Sequence, residues 1–268
     1  STGDRHILVL DKDNRKLYET WSTYPTNGGW RAGSGAVFDL NSNALRPDTW
    51  TSSDAAGLPV LPGLVRYDEV AAGAIEHAIR FTVSSTRKAY VWPARHYASS
   101  LTAAQYPPMG QRFRLRANYD ISGYSPAAKT NLTALKKYGM ILADNGSNWY
   151  ISGASDNRWD DDILNTLKQV KGRDFEAVDA SSLMLNYDSG AVLYPRAIIQ
   201  QPAFYGNDFA FGISSLFPGL SNVIEWNSNL LTGQWRVVSG FYCESAMTNW
   251  TVGTSNDWGN AFFRTRRL

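Results

Sequence analysis

Apolar and polar residues alternate with a period of two along much of this chain. Ile75, His77, Ile79, Phe81 and Val83 share one side of an expected strand, and Glu76, Ala78, Arg80 and Thr82 the other. Arg112 to Ala117 repeats the pattern, with Phe113 and Leu115 facing in and arginines facing out. Shorter strands are expected at 7–10, 16–19 and 36–40. The turn Asp11-Lys12-Asp13-Asn14 separates the first two, and Asn41-Ser42-Asn43 ends the third. Helical spacing occurs in two places. Ser125-Pro126 forms an N-cap and N1 pair ahead of Leu132, Leu135 and Tyr138. A second helix starts near Asp160 and puts Ile163, Leu164, Leu167 and Val170 on one face. Its first turn carries Asp160, Asp161 and Asp162, where carboxylates offset the helix dipole.

Between Ser181 and Gln201 the pattern breaks. Asn186-Tyr187-Asp188-Ser189-Gly190 reads as a turn, and Pro195 and Pro202 interrupt the next stretch of chain. A domain boundary is expected here. Beyond it lie only strands and turns, at 209–213, 223–226, 235–238 and 261–266. The expected fold is all-β: a β-sandwich or jelly-roll domain with two short helices over residues 1–190, then a small β-sandwich module over 191–268.

Composition narrows the function. Hydrophobic residues make up 43% of the chain, enough for a real core, and charged residues only 19%, too few for a disordered chain. A net charge of +2 gives no argument for nucleic acid as a partner. No apolar run approaches the length of a membrane span. The single cysteine, Cys243, excludes an internal disulfide and reads as a small buried hydrophobe. Aromatic residues are the outlier at 13%, with 10 Trp and 14 Tyr. Most are expected in the core, and the remainder suit stacking on sugar faces. Low charge with many Trp, Tyr, Asn, Ser and Thr fits a secreted or periplasmic protein, and Ser1-Thr2-Gly3-Asp4 reads as a trimmed start. The sequons at Asn131, Asn145 and Asn249 are expected by chance at this composition.

The stretch from Trp50 to Glu69 holds the most suggestive chemistry. A polar loop containing Asp54 runs into a segment punctuated by Pro59 and Pro62, which delivers Arg66-Tyr67-Asp68-Glu69. Glu69 and Asp54 are candidates for the paired carboxyls of a glycoside hydrolase. On a strand, Asp68 would point away from Glu69, so one of them faces the cleft. Arg66 and Arg95 would orient substrate, with Trp50, Tyr67, Trp92 and Trp159 as stacking platforms. A second constellation is Arg95-His96-Tyr97, whose residue types suit β-elimination on a uronate, His96 or Tyr97 taking the proton. Asp144, in the turn Asp144-Asn145-Gly146 before Trp149, is a further sugar-binding candidate.

Other chemistries lack their signatures. Asp11-Lys12-Asp13-Asn14 fails as a calcium loop at Arg15. There is no Gly-x-Ser-x-Gly elbow, zinc motif, P-loop or dinucleotide fingerprint. The expectation is a monomer needing no cofactor or metal. It acts on a plant or algal polysaccharide, by hydrolysis first, as a uronate-directed lyase second, or as a non-catalytic glycan-binding protein.

Two resemblances add to this. Ile224-Glu225-Trp226-Asn227-Ser228-Asn229-Leu230, then Trp235, then Ala261-Phe262-Phe263-Arg264, resemble a small accessory β domain found on many secreted proteins of soil and aquatic bacteria. The preceding part is similar to an uncharacterised family of extracellular bacterial proteins. That likeness rests on Gly33-Ser34-Gly35-Ala36 through Asn43, Trp50 through Glu69, Tyr90-Val91-Trp92-Pro93-Ala94-Arg95-His96-Tyr97-Ala98 and Asp144-Asn145-Gly146. The resemblances imply export and a carbohydrate context, and no mechanism.

Overall fold

A computed structural model describes residues 3–192, 198–205, 208–214, 221–229, 234–243, 248–253 and 262–267. Leu230 and Ala261 of the C-terminal resemblance, and Pro195, lie outside them. The chain is an all-β, sandwich-type protein with short helices. It divides into two compact units, Ser1–Leu193 and Tyr194–Leu268.

The first unit opens with a hairpin. Strand β1 (Ile7–Asp11) pairs with β2 (Lys16–Trp21) across a turn in which Asp11 accepts from both the backbone and side-chain amides of Asn14. A small ribbon, β3 (Tyr24–Thr26) and β4 (Gly29–Arg31), comes next. Strand β5 (Ser34–Asp39) returns to β2 and completes the three-stranded sheet β1-β2-β5. Leu17, Glu19 and Ala36 on its inner face are buried. Glu19 is fully buried because its carboxylate collects the amides of Val60 and Leu61 and the hydroxyl of Ser53. Pro59 and Pro62 shape the turn that presents those amides, so an acid tethers the sheet to the 50–64 loop.

Residues 67–72 are not extended. They form helix α1 (Tyr67–Ala72), an addition to the two expected helices, closed by Gly73 in the left-handed region at φ 82°. The strand expected from Ile75 is shorter: β6 spans Ile79–Val83, and both its faces are covered, so Thr82 is buried as well as Phe81 and Val83. Strand β7 (Arg112–Leu115) leads to helix α2 (Pro126–Lys137), capped by Ser125 as expected. Helix α2 delivers the chain to β8 (Met140–Asn145), parallel to β6. Asp144 and Asn145 therefore end a strand, and the turn begins at Gly146. Strand β9 (Tyr150–Ile151), helix α3 (Asp161–Thr166, capped by Asp160) and β10 (Phe175–Val178) complete the five-stranded sheet β10-β7-β8-β6-β9 and its flank. Helix α2 lays Leu132 and Leu135 on that sheet against Phe81, Leu115, Met140 and Leu142, the centre of the unit's core.

In the second unit, β11 (Ile198–Tyr205), β12 (Asp208–Ser214) and β15 (Thr248–Gly253) form one antiparallel sheet. A second is built from β14 (Arg236–Tyr242), β13 (Ser221–Asn227) and β16 (Phe262–Arg267). Pro202 does not end the segment. It sits on edge strand β11, where the register shifts between Gln200 and Ala203. Phe211 and Ile213 from one sheet and Ile224 from the other, with Cys243 just past the end of β14, make the core, as expected of a small sandwich. Glu225 is buried in the central strand and neutralised by Arg264 and Arg266 of β16.

Candidate functional site

The chemistry-bearing residues of the first unit sort into three groups. The first is an ionic cluster beneath the 50–64 loop. Asp54 is 1% exposed. Its carboxylate takes a two-pronged bond from Arg80, at 3.0 Å from Nε and 2.7 Å from Nη2, and the third guanidinium nitrogen donates to Ser152 Oγ at 2.6 Å. Burial opposes the charge on Arg80, but Asp54 above all, with Asp144 and Glu19, outweighs it and raises its pKa. Asp144, partly exposed at the end of β8, lies close to Asp54. Burial, then the neighbouring Asp54 carboxylate, push its carboxyl up to about 7. Burial likewise raises Glu19, against the pull of its amide donors.

The second group surrounds α1. Glu69 sits at the third helical position and turns back to accept from the Arg66 backbone amide, while Arg66 and His77 meet its carboxylate. Arg158 pairs with Asp156 and Asp68 and lies 4.1 Å over the Tyr67 ring, which meets Trp159 edge-on at 5.2 Å. Trp159 donates its indole N–H to Ala154. Glu69 and Asp54 thus belong to separate partner sets, and no hydrogen bond or ion pair joins them. The reason is local: the helix at 67–72 folds Glu69 onto its own cap.

The third group is a row of rings on the surface. Arg95, 1% exposed, is its hub. It donates to the carbonyls of Arg46 and Tyr187 and to Asp188 at 2.6 Å, and lies 4.4 Å from the Tyr187 ring centroid. Every arm of the guanidinium is engaged within the protein, so Arg95 is a positioning residue with no arm left for a substrate carboxylate. Gly57 lets this loop close: at φ 73°, a Cβ there would stand 2.5 Å from the Trp50 carbonyl oxygen and 3.2 Å from Arg95 Cβ.

Above that hub, Asp48 accepts from the hydroxyls of both Tyr90 and Tyr187 at 2.9 Å. Those bonds, Tyr187's first, lower the Asp48 pKa. Burial, then the bond to Asp48, raises the two phenols. From Tyr90 the rings continue through Tyr97 at 6.2 Å to His96 at a further 5.8 Å, with interplanar angles of 23° and 9°. His96 Nδ1 donates to the Ala55 carbonyl, which leaves Nε2 as its open nitrogen. Trp92 is pinned through its indole N–H to the Ser189 carbonyl at 2.8 Å. Trp50, 56% exposed, stands two residues past Asp48 with Arg46 over its ring.

The structure therefore gathers Trp50, Trp92, Arg95, His96 and Tyr97 in one neighbourhood, separates Arg66, Tyr67, Glu69 and Trp159 into another, and pairs Asp54 with Asp144. Asp48, Tyr90 and Tyr187 were not expected to act. Tyr187 lies in a turn whose only sequence signal is its Asn, Asp and Gly, and the contact that matters reaches Asp48, 139 residues away. Comparisons with family models, with curated proteins and with solved structures return no match.

Proposed function

We infer that the protein is an exported glycan-binding protein whose first unit takes a polysaccharide on the row of rings held by Asp48 and Arg95. The observation that carries this reading is that one carboxylate holds two phenols while a buried arginine fixes the backbone beneath them. Ring faces stack on the C–H faces of sugars, and the polar edges of Tyr97, His96 and Trp50 meet hydroxyls. Rings fixed beforehand lose little conformational entropy on binding. The resemblances in both units support export and a carbohydrate partner.

A second reading, hydrolysis, draws on Asp144. A partly exposed carboxyl that titrates near 7 beside another aspartate has the protonation of a general acid at neutral pH. Against it, Asp54 is 1% exposed and Arg80 holds both its oxygens, so it offers no second carboxyl to a substrate.

The test is to incubate the protein with insoluble and soluble plant and algal glycans and to read retention, new reducing ends and unsaturated-uronate absorbance together. Retention with neither product signal is the expected result. New reducing ends that vanish in Asp144→Asn would replace binding by hydrolysis, and rising absorbance would replace it by the lyase.

A further inference from the structure

A second site lies away from the row of rings. Between α2, β9, α3 and the segment leading into β10 is a cavity of about 1030 Å³. Packed interiors leave few voids larger than a water molecule, whereas small-molecule sites span roughly 300–1,000 Å³. Much of its wall is apolar, built by Leu132, Leu135, Met140, Leu164, Val170 and Phe175.

One polar side chain stands out in that lining. Asn131, 1% exposed, projects from the buried side of α2. Its Nδ2 donates to the Ala127 carbonyl at 3.0 Å. A carbonyl accepts only from the amide nitrogen, so this bond fixes which end of the carboxamide is which and leaves Oδ1 with no donor. Oδ1 is not among the fully buried atoms that lack a partner, so it opens onto the cavity, while buried Thr130 on the same helix bonds back to the Pro126 carbonyl and Ala128, Leu132, Ala134 and Leu135 are apolar. The same burial closes the Asn131 sequon to glycan attachment.

We propose that this cavity binds a small, largely apolar ring compound that donates a single N–H or O–H to Asn131 Oδ1. The walls supply most of the affinity and the amide supplies the orientation and the selectivity. The site is independent of glycan binding on the surface rings.

Indole and indene test this directly, because they match in shape and differ by replacement of the ring N–H with CH₂. Calorimetric titration of the full chain is expected to give indole binding roughly tenfold tighter than indene. Asn131→Leu, which removes the acceptor, should abolish that preference while indene still binds. N-methylindole, which keeps the ring system and loses the donor, should bind the unaltered protein about as weakly as indene, and it carries the test if Asn131→Leu does not fold. Absence of indole binding overturns the proposal. So does equal binding of indole and indene by the unaltered protein, the outcome expected if a water molecule already satisfies Asn131, and so does N-methylindole binding as tight as that of indole.

Discussion

Two aspartate–arginine assemblies in the first unit use similar ion pairs to opposite ends. Asp54 is buried and Arg80 largely so, and with Ser152, and Asp144 beside them, they form an inward-facing knot. Arg95 is buried more deeply, but its partners Asp48 and Asp188 have side chains 48% and 77% exposed, and Asp48 holds two tyrosine hydroxyls at the surface. The first assembly fixes the 50–64 loop to the five-stranded sheet. The second presents rings. An arginine–carboxylate pair therefore says little about function until the exposure of the acid and of its other partners is known.

The comparison is broken most severely at Asp54. Asp54→Ala leaves the Arg80 charge buried without its main partner and should cost about 3–5 kcal/mol in denaturant unfolding. Molecules that remain folded should keep their affinity for glycan. Asp48→Ala should do the reverse. Glycan affinity should fall about tenfold as both tyrosines lose their common acceptor, while unfolding shifts by no more than about 1 kcal/mol, because water replaces an exposed acceptor.

The pH dependence of stability sharpens the contrast further. Asp144 titrates at about 7 in the folded chain against 3.8 for a free carboxyl, so the folded state holds the extra proton between those values. Its contribution is full below 3.8 and is lost as the pH rises through about 7. Unfolding free energy measured across that range should show a downward component that Asp144→Asn removes and Asp48→Ala does not. The smallest effect is expected at Glu69→Gln, which can keep the bond to the Arg66 amide but removes the charge that meets Arg66 and His77, costs about 0.5–1 kcal/mol and leaves glycan retention unchanged.

Much of the fold was legible in local pattern. Ser125-Pro126 begins α2, Asp160 caps α3, and the Asp11–Asn14 turn joins β1 to β2, because each depends on neighbours in sequence. Helix α1 was not legible: the segment punctuated by Pro59 and Pro62 gave no helical spacing, yet the cap lies beyond them, at Arg66 and Glu69. The site was legible in part. The segment from Trp92 to Tyr97 drew attention through its residue types. Asp48 and Tyr187 did not, because their role arises from a contact between distant loops that no spacing reveals. The pairing of Asp54 with Asp144 is likewise tertiary.

The most direct measurement is a binding isotherm on a glycan retained in the panel, comparing the unaltered chain with Tyr97→Ala, a ring midway along the row. About a tenfold loss of affinity with an unchanged unfolding midpoint is the expected result. Affinity unchanged by Tyr97→Ala, in a protein that still folds and still retains glycan, would contradict the assignment of the row of rings as the binding face.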